Sequence, residues 1–187
     1  MKDKRQQILE TALKLFVENG FHATPTSMIA KEAGVATGTL FHHFKTKEEL
    51  INTLYLETKE ILIQALTKQV NEQDTLKSKF RQVFYNAINW AISHPDHQFF
   101  YSQYSYSPFI STLTRELGLQ RFHVIQELLK EGQENDILKA IPIGLMIDTA
   151  QGTLDGITNY LMEHPEKIDD REFTEQAFSM FWDVLKG

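Results

Sequence analysis

Apolar side chains recur every three or four positions along almost the whole chain, which is the spacing of one face of an α-helix. In residues 5–19 this face is formed by Ile8, Leu9, Ala12, Leu13 and Phe16, and the pair Asn19–Gly20 is typical of a helix end. The alternation of apolar and polar residues that indicates a strand is absent. The pattern therefore predicts an all-α fold of about nine helices.

Two short helices follow, separated by a glycine. Thr24 followed by Pro25 predicts a helix start, because threonine is a good N-cap and proline is preferred at the first helical position. This helix is expected to run from Pro25 to about Ala33, where Gly34 ends it. The next helix begins near Thr37. The order of helix, glycine turn and helix predicts a helix-turn-helix motif.

A long fourth helix is predicted from Lys47, and the same periodicity places the remaining helices. Asp74 is expected to cap a fifth helix, which ends before Pro95 because the residue preceding a proline is pushed out of the helical region. Residues 98–108 are ambiguous. The inner face of the fourth helix is expected to contain Leu50, Ile51, Leu54, Tyr55, Thr58, Ile61, Leu62, Ala65 and Leu66. Further helices are predicted at roughly 109–133, 142–163 and 170–185.

The second helix of the motif carries a glycine, Gly38, on the face opposite its apolar residues. Leu40 and Phe44 are expected to point to the core, which leaves Gly38, Thr39, His42 and His43 outside. Without a side chain at Gly38 the helix can lie against a base edge or a phosphate. The low charge of this face agrees with base reading, which uses hydrogen bonds and methyl contacts. The alternative is that Gly38 merely accommodates packing.

Composition limits the class of protein. The 187 residues are 42% hydrophobic, enough for a packed core, and contain no cysteine, which excludes disulfides, thiolate zinc sites and cysteine nucleophiles. The charged start of the chain lacks an apolar signal region, and no apolar run approaches the length of a membrane helix. We therefore expect a soluble, intracellular (cytoplasmic) protein that does not associate with membranes.

Charge is distributed unevenly around the net value of −6. Residues 1–47 carry four acidic residues and seven basic ones, namely Lys2, Lys4, Arg5, Lys14, Lys31, Lys45 and Lys47, a balance of +3. The remainder carries 12 basic and 21 acidic residues, a balance of −9. A basic head on an acidic body is typical of a protein that contacts phosphate at one end only.

The run from Ile8 to Leu50 resembles the TetR/AcrR family of bacterial transcriptional regulators along its whole DNA-binding domain. The segments FVENGF, IAKEAGV, GTLFHHF and KTKEEL carry the resemblance, in order and at the family's spacing. KTKEELINTLYL and NWAISHP are similar to the RamR-type multidrug-sensing regulators. The resemblance implies a three-helix helix-turn-helix DNA-binding domain at residues 1–47 and a helical ligand-binding and dimerisation domain at residues 48–187.

The resemblance also implies which residues contact DNA. Thr26 and Lys47 are expected to bind phosphate, and Ala36 replaces a frequent serine, so that Thr37 is expected to cap the recognition helix. Phe41 replaces a frequent tyrosine and cannot donate to phosphate. The full expected set is Thr26, Ser27, Thr37, Gly38, Thr39, Phe41, His42, His43 and Lys47. The expected partner is a palindromic double-stranded operator.

The last two helices are the expected dimer surface. Gly144, Gly152 and Gly156 lie in the first of them, where each glycine costs about 1 kcal/mol relative to alanine, so that close helix approach or a kink must explain them. In the last helix the expected inward residues are Phe173, Ala177, Met180, Phe181 and Val184, with Phe178 and Trp182 off to one side. Aromatic residues beyond one stripe suggest two buried faces, one against the chain's own core and one against a partner. The chain is therefore expected to form a homodimer.

The family resemblance further implies a pocket for a small apolar or aromatic effector. Aromatic residues are frequent in the body of the chain, although many must belong to the core. The expected wall residues are Tyr55, Lys59, Phe80, Phe84, Trp90 and Asp155, of which Asp155 could orient a cation. A repressor released from DNA by such an effector is the expected function, and no cofactor is expected.

Two other classes of function remain open at this stage. A small helical enzyme is one, although the sequence contains no paired catalytic carboxylates at a recognisable spacing, no P-loop and no HExxH. A helical adaptor that has lost DNA binding is the other. His94, Asp96 and His97 could suggest a metal site, but Pro95 interrupts them and the segment is more typical of a helix boundary. We therefore expect no metal.

Overall fold

A computed structural model describes residues 3–187, so that Lys2 lies outside the described residues. Over this range the chain forms ten α-helices and one 3-10 turn, and its only β-type pairing is an isolated bridge between Leu138 and Lys186. The all-α prediction is confirmed. The helices are α1 Lys4–Asn19, α2 Thr26–Glu32, α3 Thr37–His43, α4 Lys47–Leu66, α5 Leu76–Ser93, α6 Pro95–Tyr104, α7 Thr112–Arg121, α8 His123–Glu134, α9 Ile143–Glu163 and α10 Arg171–Leu185. None of the described helices is long and apolar enough to cross a membrane.

The predicted caps of α2 and α5 are wrong. Pro25, not Thr24, occupies the N-cap position of α2. The Thr24 hydroxyl is buried and donates to the carbonyls of Leu15 and Gly20, at 3.1 and 2.7 Å, so it closes the turn after α1 instead. At α5 the cap is Thr75 and not the expected Asp74, because the Thr75 hydroxyl accepts the backbone N–H of Ser78 at 3.3 Å.

Two further predictions about helices are corrected. The expected helix at 109–133 is divided at Phe122 into α7 and α8. Ile61 was expected on the inner face of α4 but is 38% exposed, whereas Lys59 and Ile63 are buried. Periodicity alone could not place these side chains, because the neighbours of α4 change along its length.

The chain divides by contacts into two compact units. The first comprises the described residues up to Glu60 together with His94–Gln120, and the second comprises Ile61–Ser93 and Arg121–Gly187. The two units are defined by contacts and not by function. The predicted boundary between a DNA-binding domain at residues 1–47 and a ligand-binding domain at residues 48–187 therefore stays a prediction.

The core of the first unit joins α1 to α6. The fully buried ring of Phe16 lies 6.5 Å from that of Phe100 and 6.3 Å from that of Tyr104. The Tyr104 hydroxyl donates to the Phe16 carbonyl at 3.4 Å, and burial raises the pKa of this phenol. The helix-turn-helix therefore shares an aromatic core with α6.

The core of the second unit is built around α5 and α10. The Phe84 ring lies 5.6 Å from that of Phe178 and 5.4 Å from that of Phe181. Arg81 forms an ion pair with Glu175 and lies over the Phe178 ring, 4.4 Å from its centroid. These contacts attach α10 to α5 between Glu175 and Phe181, which determines the face that this part of α10 leaves exposed.

Candidate nucleic-acid interface

The turn between α2 and α3 is closed by its own backbone. Gly34 has a φ of 66°, a conformation that side chains disfavour, and its N–H donates to the Lys31 carbonyl at 3.1 Å. The Val35 N–H donates to the Ala30 carbonyl at 2.9 Å. This paired closure of a helix end accounts for the glycine and sets the angle at which α3 leaves α2.

The two faces of α3 agree with the predicted division. Leu40 and the following Phe44 are almost completely buried. Thr37, Gly38 and His42 are exposed, and so is Phe41, at 40%. The remaining two predicted base-contact residues, Thr39 and His43, are half-buried. The exposed face of α3 therefore carries two hydroxyls, two imidazoles, a phenyl ring and no charged side chain.

Gly38 is not explained by packing within the chain. It lies in regular helix, and apart from its chain neighbours and the backbone of its own helix, a Cβ atom built at this position would have no atom within 4 Å. Glycine at such a position costs about 1 kcal/mol relative to alanine, and no internal contact offsets that cost. The packing alternative is therefore wrong, and a contact of Gly38 with DNA stays a prediction.

The predicted cap of α3 is also wrong. Ala36 occupies the N-cap position without a side-chain hydrogen bond, and Thr37 is the first helical residue. The Ala36 carbonyl accepts the N–H groups of Thr39 and Leu40, at 2.8 and 3.2 Å. The start of α3 is thus held by backbone bonds alone, and the exposed Thr37 hydroxyl has no capping role.

Lys47, the predicted phosphate ligand, lies at the start of α4 and contacts the loop after α1. Its Nζ atom donates to the Phe21 carbonyl and lies 4.1 Å from the centroid of the Phe21 ring. Burial lowers the pKa of this amine, and the Glu48 carboxylate partly opposes that shift. Of the other predicted phosphate ligands, Thr26 is half-buried and Ser27 is exposed at the start of α2.

Part of the basic charge in this region is used inside the chain. Arg5 forms an ion pair with Glu57 at 2.7 Å and lies over the Phe44 ring, 5.6 Å from its centroid. Lys14 lies 3.8 Å from Glu18. The Lys14–Glu18 pair is already balanced within the local excess of +3, whereas Glu57 lies outside residues 1–47, so its pairing with Arg5 lowers the positive charge that is available to a phosphate backbone.

Two of the predicted effector residues, Tyr55 and Lys59, come together in the first unit. The Tyr55 ring stacks on that of Tyr101 at 5.8 Å, and the buried Lys59 Nζ lies 5.2 and 5.8 Å from these two rings. A Cβ atom at Gly118 would lie 2.8 Å from Lys59 Cδ, so a side chain on α7 at this position would require the Lys59 side chain to shift. Sequence reasoning did not find Gly118, because nothing in its neighbours indicates a lysine 59 positions away.

The other predicted effector residues lie in the second unit. Phe80, Phe84 and Trp90 are buried on α5, and Asp155 is half-buried on α9. Phe80 lies 5.9 Å from the Trp182 ring, so two of these aromatic residues pack on α10. A role for this set in effector binding stays a prediction.

An apolar groove of about 450 Å³ separates the exposed sides of α9 and α10. It is lined by Gly152, Gly156, Tyr160, Phe173, Ala177 and Met180, among others. Apart from its chain neighbours and the backbone of α9 itself, a Cβ atom at Gly144, Gly152 or Gly156 would have no atom within 4 Å.

The aromatic residues expected off to one side of the inward stripe of α10 lie against the chain's own core. Phe178 and Trp182 are buried within the chain, whereas Met180, expected inward, is 63% exposed. The predicted inward stripe is therefore wrong at Met180, because α10 turns Phe178 and Trp182 towards α5.

The histidines near Pro95 do not form a metal site. Among the residues that the structure describes, no group of three or more histidine or acidic residues is arranged to hold a metal ion. The ring of His97 instead shares a hydrogen bond of 3.1 Å with the Thr58 hydroxyl, and burial lowers the pKa of His97.

Comparison with known proteins gives concordant results. A family model described as bacterial regulatory proteins, tetR family, matches residues 8–54. A crystal structure from Shewanella sp. PV-4, described as a tetR family transcription regulator, is 39% identical, covers 100% of both chains and superposes with a TM-score of 0.95. The fatty acid metabolism regulator protein of Bacillus subtilis (strain 168) is 28% identical over 185 residues, which cover 90% of each chain. The crystal structure of FadR from Bacillus subtilis in complex with stearoyl-CoA shares the fold at 22% identity, with a TM-score of 0.76 and coverage of 96% of this chain and 98% of that one.

Replacing Gly38 with alanine should have opposite effects on the stability of the protein and on its affinity for DNA. Gly38→Ala should raise the free energy of unfolding by up to about 1 kcal/mol, because alanine favours helix and meets no other atom. The same change should weaken binding to a duplex of the gene's own promoter by about 1–3 kcal/mol, because the added methyl group holds α3 away from the bases. Urea denaturation and fluorescence anisotropy measure the two quantities.

Gln103→Ala is the matched control, since it places alanine at an exposed helical position of the same unit. It should leave DNA binding unchanged. Wild-type DNA affinity in the Gly38→Ala variant would contradict the assignment of this face.

Proposed function

The chain belongs to the TetR family of bacterial transcriptional regulators, and on that premise we propose that it is a homodimeric repressor which a small, largely apolar or aromatic effector releases from a palindromic operator. Family membership makes it a DNA-binding transcriptional regulator and sets the enzyme alternative aside. The observation that carries the proposal is the exposed, uncharged face of α3, with a glycine that the chain's own packing does not require. The protein would act where the chromosome lies, in the cytoplasm.

The proposed roles of the DNA-contacting residues fall into two groups. Thr26, Ser27 and Lys47 contact phosphate and set the position of the motif on the duplex. The face of α3 reads base edges in the major groove through Thr37, Gly38, Thr39, Phe41, His42 and His43. Phosphate contacts carry most of the affinity and its salt dependence, whereas the α3 face carries the sequence preference.

A dimer follows from the small reach of one recognition helix. One helix contacts only a few base pairs, and a two-fold axis that places two copies on a palindrome doubles the sequence that is read. The groove between α9 and α10 supports these helices as the contact, because it is apolar and contains two glycines that no internal packing explains. Tyr160 and Met180, 44% and 63% exposed, are suited to burial against a second copy.

The effector part of the proposal rests on chemistry and on one relative. Buried tyrosine rings beside Lys59 offer apolar surface next to a cation, a combination that suits an apolar molecule with an acidic end. The Bacillus subtilis relative with 28% identity is named as a fatty acid metabolism regulator, and fatty acids are molecules of this kind. The narrower resemblance to RamR-type regulators suggests aromatic cations instead, for which Asp155 would supply the counter-charge.

Release requires that the effector bind one conformation better than another. An effector with equal affinity for the DNA-bound and free forms would shift nothing, however tightly it bound. A coupling free energy of about 1–3 kcal/mol is enough to lower operator affinity several-fold or more.

The first prediction from this proposal concerns the effector. Members of a panel of long-chain fatty acids, stearoyl-CoA, aromatic cations and steroids should lower operator affinity about 5- to 150-fold in fluorescence anisotropy. The active compound should also change tryptophan fluorescence, because Trp90 is one of the predicted effector residues; Trp182→Phe removes the other tryptophan signal.

Free coenzyme A serves as the control for stearoyl-CoA, and Lys59→Met tests whether an acidic end group matters. Lys59→Met should weaken the response to fatty acids more than the response to aromatic cations. If operator binding is intact and no compound alters it, the effector part of the proposal fails while DNA binding stands.

The second prediction concerns the dimer. Gly152→Leu places a branched side chain in the α9–α10 groove and should shift the sedimentation of the protein from dimer to monomer at micromolar concentration. Gln103→Leu adds the same side chain at an exposed position of α6 and should leave the dimer intact. A wild-type protein that is a monomer and binds its operator tightly as one chain would refute the dimer.

A further inference from the structure

The segment at residues 105–111, between α6 and α7, contacts the loop that follows α1. Within this segment the ring of Phe109 stacks on that of Phe21, with centroids 4.0 Å apart and planes inclined by 20°. The His22 ring stands edge-on to Phe109 at 5.0 Å. The aromatic contact therefore joins two parts of the first unit that are far apart in sequence.

The same segment is bound to α4 by one side chain. The Asn52 amide nitrogen donates to the Phe109 carbonyl at 2.8 Å, and its amide oxygen accepts the Ser111 N–H at 2.9 Å. The amide nitrogen also donates to the Glu48 carbonyl, one turn earlier on α4, at 2.7 Å. Asn52 thus fixes the backbone on both sides of Ile110 relative to the start of α4.

A third set of bonds holds the segment in shape. Arg115 on α7 donates through Nε to the Ser105 carbonyl at 3.2 Å and through Nη2 to the Ser107 carbonyl at 2.5 Å. Ser111 caps α7 by accepting the Thr114 N–H at 3.1 Å. A segment with this many bonds presents the Phe109 ring in a defined place, although Phe109 itself is only half-buried.

The residue that Phe109 supports is the one that holds Lys47. Phe21 provides both the carbonyl that accepts a hydrogen bond from Lys47 and the ring beneath its ammonium group. An ammonium group has three donors, so the bond to Phe21 leaves two of them for a phosphate. The position of Lys47 therefore depends on Phe21, and the Phe21 ring is covered by Phe109.

We propose that Phe109 and Asn52 are positioning residues for the phosphate contact of Lys47, acting through Phe21 from a segment outside the helix-turn-helix. The inference rests on the proposed role of Lys47 and adds to it two residues that reach DNA only through Phe21. Loss of the Phe109 ring frees the Phe21 ring to turn and leaves the ammonium group less well placed, which raises the cost of ordering it on DNA.

A double-mutant cycle tests the proposal on the full-length protein and an operator duplex. Phe109→Ala should lower operator affinity about two- to ten-fold, the range that corresponds to one aromatic pair. Lys47→Ala should lower affinity and reduce the slope of log affinity against log salt by about one unit. In the Lys47→Ala background, Phe109→Ala should have no further effect, because the contact through which it acts is gone. Asn52→Ala should behave as Phe109→Ala does.

Phe99→Ala is the matched control, since Phe99 is 48% exposed on α6 and its loss should not change affinity. Circular dichroism melting checks that every variant is folded. If Phe109→Ala and Asn52→Ala lower affinity equally with and without Lys47, or leave it unchanged while Lys47→Ala has its full effect, the positioning role is refuted and the proposed function stands. If Lys47→Ala changes neither affinity nor slope, the phosphate role of Lys47 and this inference both fail.

Discussion

The packing of Phe16 is the contact on which the first unit depends. Its ring has no exposed surface and lies among the rings of Phe21, Phe100 and Tyr104, at 5.8, 6.5 and 6.3 Å. The interaction joins the end of α1 to α6, so that α1 to α3 do not form a core alone. For this reason the compact unit extends to residues 94–120, beyond the matched family segment at residues 8–54.

This arrangement places the loop after α1 and the 105–111 segment in one aromatic core. Phe21 packs on Phe16 from one direction and on Phe109 from another. A displacement of α6 within the unit must therefore disturb the loop after α1, because closely packed interiors transmit shifts instead of absorbing them. The physical connection between Lys47 and the rest of the unit follows from these contacts.

Local sequence was sufficient to predict α1 to α4 and the exposed face of α3. The period of apolar residues, together with Asn19–Gly20 and Gly34, located α1 to α4, because helix ends and glycine turns are decided by neighbouring residues. Predictions failed where a distant partner decides the outcome. The Thr24 hydroxyl was expected to cap α2, but the buried carbonyl of Leu15 accepts it instead. Phe178 and Trp182 were expected off to one side of the inward stripe, but they are buried against Phe84 and Phe80 of α5.

In the candidate site, too, some features are decided by neighbouring residues and others by residues that are distant in sequence. The residues of the α3 face are consecutive in sequence, so their exposure follows from one helix and its apolar stripe. The contacts of Lys47 with Phe21, of Asn52 with Phe109 and of Lys59 with Gly118 join residues between 26 and 59 positions apart, and no local pattern records them. Gly38 combines both situations. The sequence alone identified it as an unusual residue, but the structure was needed to exclude packing within the chain as the reason for a glycine there.

Selection of duplexes from a random double-stranded library by the full-length protein tests the central claim, that α3 reads base edges as part of a symmetric pair. The account predicts enrichment of one palindromic sequence by the wild type, and a different half-site when Thr39 or His42 is changed to alanine. Enrichment of no sequence, or the same half-site from the wild type and both variants, would contradict it.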